Sequence, residues 1–241
     1  MVTGQGNGMP EAIGILIFII SPCFISLLIN YILRIIFRVN NLRGKQLAMT
    51  GKDVAAKFIG ENDIHARIWP QDGILSDGYD PDENIIWLSN AVYYGCSPAA
   101  YAIALHETGH AIQHKEAFRA EQLRSMFHGF VVLFAIAAVI CMGAWIIFTW
   151  EWALVTSIIS LCAYLLIHII TVASEIDASR RAKEMLKTLN VSDEEFEKCK
   201  RMLGLAYWTY IITIISTLSV IILLLLLLGH KRKTSDKRTA G

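Results

Sequence analysis

Charged residues almost vanish from the chain in four places. Ala12–Ile36, Phe130–Thr149, Ala153–Ala173 and Tyr207–Leu228 are long apolar runs. A helix needs about 20 such residues to cross the hydrocarbon core. None of the runs alternates with period two as a barrel strand would, so the pattern predicts four spanning helices. The first run lacks a basic segment ahead of it, and Arg34 and Arg38 come where a cleavage site would be. It reads as an uncleaved anchor, kinked at Pro22, with Asn30 making a helix-packing hydrogen bond. Trp150-Glu151-Trp152 separates the second and third runs and suits a tight hairpin at the headgroup layer, where indole rings settle.

Four crossings put the two polar segments Val39–His128 and Ser174–Ala206 on the same side of the membrane, as one small domain split by a transmembrane hairpin. The expected organisation is residues 1–38 for the N-terminus and first span, 39–128 for the domain's first segment, and 129–173 for the hairpin. Residues 174–206 then form its second segment, 207–229 the last span and 230–241 a basic tail. Thr50-Gly-Lys-Asp53 resembles a capped helix start, followed by an apolar face of Val54, Phe58 and Ile59. His65–Trp69 and Asn84–Ser89 look like strands, with the turn-rich Ser76–Asn84 between them. Ser97 is a good N-cap and Pro98 a good first helical residue, so a helix is expected from Pro98 to about Lys115.

Composition agrees with a membrane protein: 54% of residues are hydrophobic, the formal net charge is +1 and mean hydropathy is +0.46. Nucleic acid is not an expected partner. Arg34, Arg38, Arg43 and Lys45 follow the first run, and Arg119 and Arg124 precede the second. Arg180, Arg181, Lys183 and Lys187 follow the third, and Lys198, Lys200 and Arg201 precede the fourth. Positive charge favours the cytoplasm, so the split domain is expected there. The tail His230–Arg238 argues the other way; it either binds anionic lipid headgroups or ends the last span. The five cysteines form no CxxC pair and suggest no disulfide framework.

The chemistry lies in Ala102-Ile-Ala-Leu-His-Glu-Thr-Gly-His-Ala-Ile-Gln-His114. Residues i and i+4 share a helix face, so His106 and His110 aim two imidazoles at one point. Glu107 stands beside them, within reach of a water on a zinc ion. Zinc lowers the pKa of that water to near 7, and a glutamate base completes a hydrolase. Gly109 in mid-helix costs about 1 kcal/mol against Ala, which hints at a close approach. His114 shares the face but lies about 12 Å along the helix from His106, too far for the same metal centre. It reads as a support behind the metal ligands or, more in keeping with its place, as a surface residue. Catalytic zinc needs a third protein ligand. Glu175 and Asp177, at the end of the third run, are the candidates, because a carboxylate there should face protein rather than lipid. His128 and His168 are weaker ones. Asp77, Asp80 and Asp82 lack calcium-loop spacing and read as a solvated turn.

The run LSNAVYYGCSPAAYAIALHETGHAIQHKEAFRAEQLRS, with SEIDASRRA far downstream and SDGYDP upstream, resembles the YugP-like family of neutral zinc metallopeptidases of bacterial membranes. More distantly the plan is similar to the HtpX and CAAX-protease gluzincins. The resemblance implies a mainly α membrane protein: four transmembrane helices plus a small α+β gluzincin-like zinc protease domain split across two loops. It also implies Glu175 as third ligand, in a pattern of Glu, then Ala three residues on (Ala178), then Asp. Here Ser179 stands where that Asp would be, and Asp177 is the alternative supporting group, unless it only pairs with Arg181. The same resemblance makes Asn84–Ser89 an edge strand that pairs with substrate backbone, and puts the protein in the bacterial plasma membrane. For the oxyanion, Tyr79, His65 and Tyr93 are candidates.

The expected site is thus zinc on His106, His110 and Glu175 with Glu107 as catalytic base, held close above the bilayer. The expected partners are a membrane-associated polypeptide substrate and membrane lipid. Two other classes compete. A catalytically silent zinc-binding scaffold would keep its activity as Glu107→Gln. A transporter would carry paired polar groups at midplane, and these runs are nearly all apolar.

Overall fold

The computed structural model describes residues 46–73 and 76–239, together with eight positions between 24 and 36. Most of Ala12–Ile36, with Pro22, Cys23, Asn30, Arg34, Arg38, Arg43 and Lys45, lies outside the described residues, as do the side chains of the tail His230–Arg238. The elements are α1 (Gly51–Glu61), β1 (Arg67–Gln71), β2 (Gly78–Asp80), β3 (Ile85–Ser89), α2 (Asn90–Tyr93), α3 (Pro98–Lys115), α4 (Arg119–Phe148), α5 (Glu151–Lys187) and α6 (Asp193–Thr239). Contacts divide the chain into two units. One holds residues 30–128 and 169–211, the other 129–168 and the flanking termini.

Local chemistry sets the boundaries in the first unit. The Thr50 hydroxyl accepts from the Asp53 N–H, and the Asp53 carboxylate accepts from the Thr50 N–H, a closed capping box for α1. Ser97 caps α3 by accepting from the Ala100 N–H, with Pro98 as first helical residue. The largely buried α3 lies against α1, α2, β2 and β3. The core between them comprises Val54, Phe58, Ile86, Leu88, Val92, Tyr101, Leu105 and, from α5 and α6, Leu186, Cys199 and Leu203. Leu88 and Ile86 have no exposure at all, so each side chain stabilises the unit by about 1.5–3 kcal/mol.

The sheet corrects one expectation. Its order is β1-β3-β2, with β1 parallel and β2 antiparallel to β3. The stretch Asn84–Ser89 is therefore the central strand, not the edge; the edges are β1 and β2. The turn-rich stretch folds back because Asn84 adopts φ +56° and Asp77 accepts hydrogen bonds from the Ser89 N–H (2.7 Å) and hydroxyl (3.2 Å). Asp80 accepts from the Asp82 and Glu83 amides. These carboxylates are occupied by their own chain, so the aspartates are turn-formers, but Asp77 is not a solvated one.

In the second unit, Met142, Leu154, Val220 and Leu224 form the core, and the Ser157 hydroxyl donates to the Ala138 carbonyl (2.9 Å). Ile140, Ile147, Ile159 and Leu226 are well exposed, as suits hydrocarbon. Among the described residues, three helices are long and apolar enough to cross a membrane: α4, α5 and residues 193–229 of α6. Thr149 turns the chain between α4 and α5 with φ +56°, and Trp150 stacks on Phe148 and Trp152. The described cysteines Cys96, Cys141, Cys162 and Cys199 are free thiols.

Candidate metal centre

His106 and His110 project from α3 with ring centroids 4.8 Å apart, and α5 brings Glu175 to both. Glu175 Oε2 lies 3.1 Å from His106 Nε2, and its Oε1 lies 3.7 Å from His110 Nε2. All three are buried. Tetrahedral zinc, with bonds of about 2.0–2.1 Å, separates its donors by roughly 3.3 Å, so the set fits that ion. Glu107, 8% exposed, adjoins the group.

The close contact of α3 and α5 rests on small residues. A Cβ built on Gly109 would sit 2.8 Å from the Ala178 carbonyl oxygen. Only glycine lets the two backbones meet there, which offsets its helix penalty.

Each imidazole is fixed through its other nitrogen. His106 Nδ1 lies 3.3 Å from the Ser179 hydroxyl, which donates onward to the Leu203 carbonyl. With its proton so engaged, the hydroxyl accepts from Nδ1–H. Ser179, rather than Asp177, is thus the side chain that stands against the far nitrogen of His106. His110 Nδ1 lies 2.9 Å from Gln113 Oε1, and the Gln113 amide donates to the Ser174 carbonyl and to Asp177 Oδ2, each at 2.9 Å. That orients the amide, makes Nδ1 the protonated atom and leaves both Nε2 lone pairs facing Glu175. Asp177 also accepts from Arg180 and Arg181, so it is at once ion-pair partner and support for Gln113.

Burial disfavours the charged form of His110, but Glu121, Glu175 and Glu107 outweigh it, and its pKa lies above the ordinary value. Burial, with Glu107 nearby, pushes Asp77 up to about 6 against the Ser89 bonds. The neutral acid is then the form the fold prefers. Its contribution to stability is greatest below pH 4 and is lost as pH rises through about 6, worth at most about 3 kcal/mol. Asp77→Asn should therefore raise the Tm in detergent more at pH 7.5 than at pH 5. An equal change at both pH values would refute this coupling.

His114 is not a plain surface residue: its Nδ1 lies 2.6 Å from the Tyr79 hydroxyl, which donates to Asn84 Oδ1, also at 2.6 Å. This chain ties the edge strand β2 to α3 and occupies Tyr79. Of the other oxyanion candidates, Tyr93 packs edge-on against Tyr94 beneath Lys52, and His65 is exposed. Tyr210 on α6, overlooked in the sequence because it lies inside an apolar run, hydrogen-bonds to Glu175. His128 lines a cavity beside β2, and His168 sits over Tyr164; neither belongs to the buried trio. Gln113 was legible only as the residue at i+3 from His110.

Two histidines one helical turn apart, with a carboxylate from a second helix, are the donor set of a zinc peptidase. The family model described as "Putative neutral zinc metallopeptidase" matches residues 15–229. The chain is 32% identical over 166 residues, 67% of its own length and 73% of the other, to the "Putative membrane protease YugP" of Bacillus subtilis (strain 168). It belongs to this family, whose cofactor is zinc, and it is a membrane protein. No solved structure matches it.

Proposed function

We propose that the protein is a membrane-embedded zinc endopeptidase of gluzincin type. It cuts membrane or membrane-proximal polypeptides on the cytoplasmic side of a bacterial plasma membrane, and Ala12–Ile36 is the first of its four spans. The observation that carries the reading is the buried trio His106, His110 and Glu175, with both imidazoles locked to present Nε2. These three would hold the ion. When bound, zinc supplies Lewis acidity and a water of pKa near 7. Glu107, beside the trio, would serve as the general base for the hydrolytic water and would hand the proton to the leaving amine. An extended substrate adds to the free edge of β2, held by main-chain hydrogen bonds. Beside that edge lies a cavity of about 520 Å³ lined by Asp77, Tyr79, Trp87, Arg124 and His128, which receives substrate side chains.

The test is cleavage by the detergent-purified full chain, with a membrane protein and a soluble unfolded protein as competing substrates. The membrane substrate should be cut preferentially. A zinc chelator should abolish cleavage, and added zinc should restore it. Equal cutting of both substrates would overturn the membrane assignment, and cleavage indifferent to chelation would overturn the zinc mechanism.

A further inference from the structure

Behind His110, on the side away from Glu175, lies a second carboxylate. Glu121, in the first turn of α4, is 2% exposed. Its Oε2 lies 3.6 Å from His110 Nδ1. It accepts the Ser174 hydroxyl proton at 2.5 Å and two bonds from the Arg124 guanidinium at 2.5 and 2.6 Å. Ser174, through its carbonyl, also receives the Gln113 amide that holds His110. Three helices, α3, α4 and α5, thus converge on one imidazole nitrogen.

The charge inventory is lopsided. Glu107, Glu121 and Glu175 are all buried here, and Arg124 is the guanidinium set among them, near both Glu121 and Glu175. Asp177 is balanced separately by Arg180 and Arg181. Three carboxylates against one cation leave an excess of two negative charges, which a divalent ion cancels. A buried ion pair added only for stability would be an odd device, because a well-packed apolar pair does as well or better. An anion held against the far nitrogen of a ligand histidine has a recognised effect instead: it raises the basicity of the nitrogen facing the metal.

We propose that Glu121 is a positioning residue for the metal centre. Clamped by Arg124 and Ser174, it orients His110 and strengthens its hold on zinc. The inference rests on His110 being a zinc ligand.

The experiment measures zinc affinity of the full-length protein in detergent by competition with a chromogenic chelator. Wild type is compared with Glu121→Gln and Glu121→Asp. Visible spectra of the cobalt-loaded proteins report ligand geometry. Glu121→Gln should weaken zinc binding about ten- to a hundred-fold and alter the cobalt bands, with partial recovery in Glu121→Asp. Because Glu121→Gln takes the carboxylate partner from the half-buried Arg124, the double variant Glu121→Gln/Arg124→Gln is measured alongside. It removes both charges and should keep the affinity loss. Wild-type affinity and an unchanged cobalt spectrum in the double variant would reduce Glu121 to an ion-pair partner and overturn the proposal. A wild type that takes up no zinc would instead bring down the metal-site reading itself, and the inference with it.

Discussion

Glu107→Gln is expected to keep its zinc and lose its peptidase activity. The substitution preserves shape and removes only the basicity of the side chain. Glu107 lies outside the trio His106, His110 and Glu175, so metal content should stay near that of wild type. A general base contributes about 10²–10⁴-fold to turnover, and the loss should fall in that range. Elemental analysis and a cleavage assay on the same preparation check both halves. Full activity in the variant would leave the protein as a zinc-binding scaffold, and zinc lost together with activity would move Glu107 into the coordination set.

The second large effect is on the metal itself. Glu175→Ala should reduce zinc from about one per chain to a small fraction, because two histidines alone make a poor site. The carboxylate is buried between both imidazoles, so its removal takes away the oxygen donor that completes the set with the two Nε2 atoms. Glu175→Gln keeps the volume and loses the charge, which separates a packing defect from a missing ligand. Both variants should lose zinc if Glu175 binds it. Zinc retained in both would send the search to another carboxylate, with Asp177 the nearest in sequence.

Much of the metal centre was legible because its signals are local. Ser97 and Pro98 fix the start of α3, and the i, i+4 spacing of His106 and His110 needs no tertiary knowledge. Glu175 and Asp177 stood out together as carboxylates at the end of an apolar run, and the resemblance pointed to Glu175. Residues whose roles depend on long-range pairing stayed hidden. Gly78–Asp80 is punctuated like a turn, yet pairs with β3 because Tyr79 reaches Asn84 and His114. The same pairing makes Asn84–Ser89 central when its own pattern suits an edge equally well. Gln113 and Ser174 are neutral residues that no pattern marks as partners of a metal ligand. Glu121 reads as an ordinary acidic residue at a helix start.

The contact between Gly109 and Ala178 has a practical consequence. Zinc held by His106, His110 and Glu175 would join α3 to α5, and the same seam supplies the Ser179 and Ser174 groups that contact the histidine supports. Occupancy and helix docking are therefore linked equilibria, and free zinc at a hundred times its Kd adds about 2.7 kcal/mol to the docked form. A sample stripped with chelator should therefore populate a looser α3–α5 contact than the zinc-loaded protein. Purification should keep zinc present from lysis onward, and reconstitution should be followed by proteolytic protection of α5 as well as by regained turnover.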